Sequence, residues 1–334
     1  MKKMKPLAAL ALLALVCLDP AGSADAAREA LAQWAGQVAP SLLPFLIALP
    51  ALTCEEARLA FGKVAGGFMR LTRCPESLAP AWFTGLLSGS PAGAAALAAC
   101  AGEAGGGALL RCAVMASGAS PAFLLGAVGA GMLKSPRAGW LLVGAQALAS
   151  LCMGLLMRAL PEEPRSAAPQ PPAKPQDGAV AGAMRALLMI GGYMALFAVI
   201  AARLGAVLGD QWEGPLRMAL ELGGGCQAAA TLPLDGPEKL ALTAAVASLG
   251  GASVCAQSLA FLRPLGVSAG KYVFWKLVQA GVCALFALLM AAYLPRIAPA
   301  AAPADLPAAV LCATLMALGL GVALRRRLSA WRGA

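Results

Sequence analysis

The chain has 334 residues, 60% of them hydrophobic and only 13% charged, where a soluble domain carries roughly 25% charged residues. A soluble core cannot hide that much apolar surface, and open sheets leave backbone groups unpaired in hydrocarbon, so soluble α/β folds are excluded in favour of spanning helices. The net charge of +10 sits in short loops between apolar runs without interleaved stacking aromatics, which reads as positive-inside topology and not as nucleic-acid binding.

Residues 1–26 open with Lys2, Lys3 and Lys5, continue in an apolar stretch from Leu7 to Leu18, and reach Ala24-Asp25-Ala26. They fit either a signal anchor or a cleaved signal peptide. Ala27 to Val38 reads as an amphipathic lead-in, and Pro40 to Leu52 as an apolar segment broken at Pro44 and Pro50. Residues 54–80 interleave Arg58, Lys63, Arg70 and Arg73 with apolar side chains. That pattern predicts a helix in the headgroup plane with snorkelling basic residues, or else a plain cytoplasmic loop.

Residues 82–100 are broken by Ser88-Gly89-Ser90-Pro91-Ala92-Gly93, a pattern that predicts a re-entrant hairpin. A span over 108–133 is interrupted at Ser117-Gly118-Ala119-Ser120-Pro121, and 138–157 forms the next. A Pro/Ala-rich cytoplasmic linker covers 159–183. The second half repeats the order: a span at 184–207, a glycine-rich hairpin at 216–232, a span over 240–262 broken at Gly250-Gly251-Ala252-Ser253, and a span at 272–294. A last span, within 304–334, ends in Arg325-Arg326-Arg327 on the cytoplasmic side.

Leu87-Ser88-Gly89 matches Leu222-Gly223-Gly224, and Gly118-Ala119-Ser120 matches Gly251-Ala252-Ser253, at nearly one offset. Counting crossings from a cytoplasmic amino terminus gives the halves opposite orientation. The first hairpin enters from the cytoplasm and the second from outside. Lys134, Arg137 and Arg296 are the exceptions to the charge rule. The expected fold is an all-α polytopic membrane protein of two inverted repeats, 38–158 and 184–295, each with a re-entrant hairpin or broken helix. Such repeats are the signature of a secondary transporter with a site at mid-membrane.

Irregular backbone in a bilayer is tolerated where it is buried or lines a cavity. The interruptions therefore supply the candidate substrate-binding residues: Ser88, Gly89, Ser90, Ser117, Ser120, Glu221, Gly223, Gly224, Gly225, Ser253 and Gln257. Glycine lets backbone N–H groups approach a ligand, and half-helix amino ends favour an anion. The same small residues also let helices pack closely. Glu221 is an intramembrane carboxylate whose nearest charge partner in sequence is Arg217, one turn back. Lys276 sits near a helix end, where its stem can snorkel. None of the ten cysteines forms a CxxC pair and histidine is absent. No metal site, cofactor or nucleophile–base pair is expected, so the chain does not read as an enzyme.

Trp34 with Pro40-Ser41-Leu42-Leu43-Pro44-Phe45, the Ser88–Gly93 and Ser117–Pro121 runs, Leu187-Leu188-Met189-Ile190-Gly191-Gly192 and Ser253-Val254-Cys255-Ala256-Gln257 together resemble the YlbJ-type (SpoVV-like) sporulation integral membrane proteins. The resemblance includes the nucleoside-recognition Gate domain, related to concentrative nucleoside transporter architecture. It implies a retained first helix, and passage of dipicolinic acid or a similar small carboxylate from mother cell across the outer forespore membrane. A nucleoside or nucleobase carrier, and a non-transporting scaffold for spore assembly, are the alternatives. The expected partners are a small anionic substrate and the lipid bilayer, with no nucleic acid; the oligomeric state is left open.

Overall fold

The computed structural model describes residues 4–164 and 178–297. The expected last span at 304–324 and most of the linker lie outside the described residues. Among the described residues every regular element is helical.

Helix α1 (Met4–Leu18) leads into α2 (Pro20–Gln33), where the Asp19 carboxylate caps the new helix by accepting from Gly22 N at 2.9 Å. The same carboxylate pairs with Arg203. The Gly22 N–H and then the Arg203 guanidinium hold the Asp19 carboxyl below its ordinary range. A π-helical stretch, Trp34–Val38, joins α2 to α3 (Ala39–Leu52). The sequence predicts a break at Pro44 and Pro50, yet both lie inside α3. Widening at the π-helical stretch adjusts the helix just ahead of them, and the apolar face of α3 packs on the helix 178–208. Trp34 Nε1 donates to Leu187 O at 3.0 Å across that contact.

Helix α4 (Glu55–Leu71) is amphipathic as expected. Phe61 and Phe68 stack on Phe83 and Trp82, with ring centroids 5.0 and 4.8 Å apart. Leu59 and Val64 on the same helix remain exposed, which suits a surface wetted by lipid more than one wetted by water.

Next come α5 (Ala79–Ser88) and α6 (Ala92–Cys100), then α7 (Gly106–Met115) and the π-helical segment Phe123–Met132. Each is 9 or 10 residues long, or about 15 Å at ~1.5 Å per residue, half of a ~30 Å hydrocarbon layer. Helix α8 (Pro136–Met157) and α9 (Gly178–Leu208) follow. The order of short elements then recurs in α10 (Glu213–Leu220), α11 (Gly223–Thr231), α12 (Gly236–Leu249) and α13 (Gly251–Leu262), closed by α14 (Ala269–Ile297). Among the described residues four stretches are long and apolar enough to cross a membrane: Pro136–Met157, Gly178–Leu208, Gly236–Leu265 and Ala269–Tyr293. The third runs straight across the α12–α13 break.

The core mixes both halves. Leu97, Cys112 and Met115 pack with Cys255, Leu262 and Tyr272, while Leu142 and Ala145 pack with Cys226, Ala244 and Cys283. Helices α8 and α14 lie against each other between these clusters.

Candidate functional site

The hairpin α5–α6 turns at Gly89-Ser90-Pro91, and this tip meets the break in the α7 span. Ser90 N donates to Gly118 O at 2.8 Å, and Gly118 N donates back to Ser90 Oγ at 3.2 Å. Gly89 has φ +74°, and a Cβ there would stand 2.7 Å from both Gly118 O and Ser120 N. Only glycine allows that approach. The hairpin α10–α11 turns at Glu221-Leu222 and meets the α12–α13 break in the same way. A Cβ on Gly251, φ +68°, would stand 2.6 Å from Glu221 N. Each tip thus rests on the break of the helix that follows it.

Between the tips lies a chamber of about 80 Å³. Ser90 and Pro91 of the first tip, Glu221 and Gly223 of the second, and Ser253 and Gln257 of α13 all line it. Ala30 and Gln33 of α2 and Met194 of α9 complete the wall. A wider cavity of about 640 Å³, within the ~300–1,000 Å³ usual for small-molecule sites, shares Gln33, Leu42, Ser90, Phe123 and Leu222 with the chamber. Ser88, Ser120, Gln227 and the glycines Gly126 and Gly131 of the π-helical segment also line it.

The candidate residues divide by what their polar atoms touch. Ser120 Oγ accepts from Phe123 N at 3.2 Å and so caps the second half of its broken span. Ser253 Oγ accepts from Gln257 Nε2 at 3.1 Å, which fixes the amide against the chamber. Ser88 Oγ donates to Thr84 O at 2.9 Å within α5. Ser117 faces away from both cavities, toward Tyr272, with 2.8 Å between the hydroxyls. Gly223 makes room for Gln33, whose Nε2 would stand 2.3 Å from a Cβ there. Gly225 lets α11 close on α10 at the Arg217 carbonyl, and Gly224 lies beneath the Glu221 carboxylate.

Arg217, the nearest charge to Glu221 in sequence, is close enough to attract its carboxylate, but its guanidinium bonds Glu213 at 3.0 Å, one turn back along α10. The chain leaves helix at Glu221, so the carboxylate turns toward the first turn of α11, where acidic groups are favoured. Lys276 does not snorkel. It is 1% exposed, and Nζ donates to Ser248 O at 2.5 Å and Gln279 Oε1 at 2.8 Å. Position 276 lies two turns into α14 on the face that packs on α12, so its stem is enclosed by protein.

A buried polar layer around Lys276 escapes the sequence reading. Gln279 Nε2 donates to Val114 O at 3.1 Å and Ser117 O at 3.0 Å, and Gln146 Nε2 reaches Ser117 O at 3.4 Å. The signal that could have found these residues is amide, phenol and ammonium groups inside otherwise apolar runs. Gln33 carried no such signal, because its surroundings in α2 are polar. Among the described residues no cluster of His, Cys, Asp or Glu could hold a metal ion.

No family model matches the chain, and no solved structure matches it. The chain is similar to the sporulation integral membrane protein YlbJ of Bacillus subtilis (strain 168), with 26% identity over 328 aligned positions that cover 84% of this chain and 80% of the relative. It is YlbJ-like over most of its length.

Proposed function

We propose that this YlbJ-like membrane protein is a carrier that moves a small planar dicarboxylate, dipicolinate or a close analogue, across the outer forespore membrane during sporulation. The reading rests on one observation: the two hairpin tips, drawn from separate halves of the chain, line both a chamber and the wider cavity that adjoins it, with the second helix break on the chamber and the first on the wider cavity. We read the halves as inverted repeats, so this cavity sits at mid-membrane, where such carriers hold substrate.

The electrostatics favour an anion. The amino ends of α6, α11 and α13 reach the chamber through Pro91, Gly223 and Ser253. Each such end carries a partial positive charge and unpaired N–H donors. The amides of Gln33 and Gln257 add polar groups to its wall. Glu221 opposes this field; Arg217 is close enough to attract its carboxylate, and Glu29 of α2 to repel it. With its carboxylate over the first turn of α11, Glu221 stands where a substrate carboxylate would go. In our reading it holds the tip while the site is empty and yields it on binding.

The 80 Å³ chamber is too small for a ring with two carboxylates, so the tips part to hold the substrate, and the wider cavity is its way out. In the crossing order read from sequence, the π-helical segment Phe123–Met132 leads away from the cytoplasm, and the wider cavity therefore opens to that side.

The test is the dipicolinate content of spores from a strain lacking the protein, with and without a complementing copy. Loss of dipicolinate restored by the copy is the expected result. Spores with an undiminished content would sink the reading, and uptake of labelled nucleosides in place of dipicolinate would transfer it to that substrate class.

A further inference from the structure

Lys276 is a buried ammonium whose hydrogen bonds go to neutral oxygens, Ser248 O and Gln279 Oε1. Ser248 O is one of the last carbonyls of α12, which ends at Leu249, and such carbonyls have no partner within their own helix. Gln279, bonded to the ammonium, also satisfies Val114 O and Ser117 O at the carboxyl end of α7. The carboxyl ends of both broken spans therefore meet at one side-chain pair on α14. Each end carries a partial charge of about −0.5, so the two together match one cation.

The groups facing Lys276 carry no fixed negative charge. Cys255 of α13 and Cys283 of α14 are the titratable side chains close enough to act on it electrostatically. Tyr272, one turn back on α14, bonds Ser117. Glu238 and Lys239 open α12 and Arg137 opens α8, at the far ends of those helices, and Arg111, one turn before Val114 on α7, is held by Glu162 and Arg73 O. The Ser248 hydroxyl, buried beside the ammonium's acceptor, has no hydrogen-bond partner.

In carriers with broken helices, half-helix carboxyl ends and unwound carbonyls are where a coupling cation binds. We propose that Lys276 is a tethered substitute for that cation, and that the carrier is coupled to protons through it and does not use sodium. The proposal rests on the carrier reading above. In the packed state the ammonium holds the α7 and α12 ends together. When the breaks open, the ammonium gives one proton to water on the side then exposed, and the neutral amine releases Ser248 O. The amine takes a proton from the opposite side on return, so one proton crosses with each substrate.

The full chain in liposomes tests this, with labelled dipicolinate as probe. For the unaltered protein, an acid-outside gradient should raise accumulation at least fivefold, and replacing sodium by choline should leave uptake within twofold. Lys276→Arg keeps the charge but does not release its proton. It should lose the gradient response while still exchanging labelled for unlabelled dipicolinate, a split that a purely structural role does not produce. Sodium-dependent uptake by the unaltered protein overturns the inference whether or not the variant folds, as does a Lys276→Arg protein that keeps its gradient response. In those cases the carrier reading survives. Absence of uptake or exchange by the unaltered protein under every gradient overturns both.

Discussion

Gly251 lies so close to Glu221 that a single added carbon would stand 2.6 Å from the Glu221 backbone nitrogen. The neighbouring atoms are backbone and cannot swing aside, and φ of +68° penalises a side chain by itself, at about 1–2 kcal/mol. Gly251→Ala should therefore push the second hairpin tip off its break and abolish uptake. Gly89→Ala should do the same at the first tip, where Gly118 O and Ser120 N are 2.7 Å away. Gly270→Ala, with open space around it in α14, should leave uptake within twofold. Thermal unfolding in detergent should show both tip variants less stable than the control. Unchanged uptake by both tip variants would mean that the tips do not form the site.

Glu221 tests the charge argument. Glu221→Gln keeps shape and hydrogen-bonding capacity but removes the negative charge from the chamber. If the substrate is a dianion, the half-saturating concentration should fall severalfold, because a carboxylate no longer competes for the first turn of α11. A scintillation-proximity binding assay with labelled dipicolinate checks this directly. An unchanged or rising value would remove Glu221 from the chamber's electrostatics and leave it a purely structural role.

The buried end of α7 supports a stability prediction independent of transport. The Arg111 side chain is fully buried, pairs with Glu162 and donates to Arg73 O at 2.6 Å. Its Nε and Nη1 have no hydrogen-bond partner. Glu162→Ala would leave the guanidinium with one carbonyl, a loss of about 1–3 kcal/mol. The midpoint of thermal unfolding should fall by several degrees, and Glu162→Asp should recover part of the loss. An unshifted midpoint would mean that water reaches Arg111.

What was legible in the sequence follows from which signals are local. The tip at Gly89–Pro91 and the breaks at Ser117 and Gly250 announce themselves, because small residues and proline interrupt apolar runs in lipid; the second tip turns at Glu221–Leu222, and the Gly223–Gly225 cluster that marks it in sequence opens α11 instead. The partners of those residues were not legible. Arg217 is equidistant in helical spacing from Glu213 and Glu221, and only the end of α10 at Leu220 decides for Glu213. Lys276 reads as a snorkelling residue by position along α14, and its rotation toward α12 is set by packing between distant segments. Ser117 was chosen for the same reason as Ser90, yet it faces Tyr272 because the first break turns that carbonyl and hydroxyl inward.

The amino terminus offers a prediction from pairing alone. Asp19 bonds Gly22 N and pairs with Arg203, whose side chain is 13% exposed. Cleavage after Ala26 would cut α2 in its middle, remove that carboxylate and leave a nearly buried guanidinium unpaired. Intact-mass measurement of the purified protein should therefore find residues 1–26 present. Because the Asp19 carboxyl is held low by Gly22 N and Arg203, the pairing persists above the ordinary aspartate range and is lost as pH falls below it. Mature protein beginning at Ala27 would show that Arg203 finds another partner.

The inverted arrangement is tested by where the ends of the hairpins emerge. Glu103 lies in the turn between α6 and α7, and Asp235 in the turn between α11 and α12; both are exposed. The crossing order places the first turn in the cytoplasm and the second outside. Single cysteines at these positions, in a background lacking Cys17, Cys54, Cys152 and Cys312, should react with an impermeant maleimide from opposite sides of sealed vesicles. Opposite reactivity makes the two tips approach each other from opposite faces, and their meeting at the chamber then falls within the hydrocarbon. Labelling of both from one side would place both hairpins in one leaflet. The Ser90–Gly118 and Glu221–Gly251 contacts would survive as packing, but alternation of access between compartments would have no structural basis.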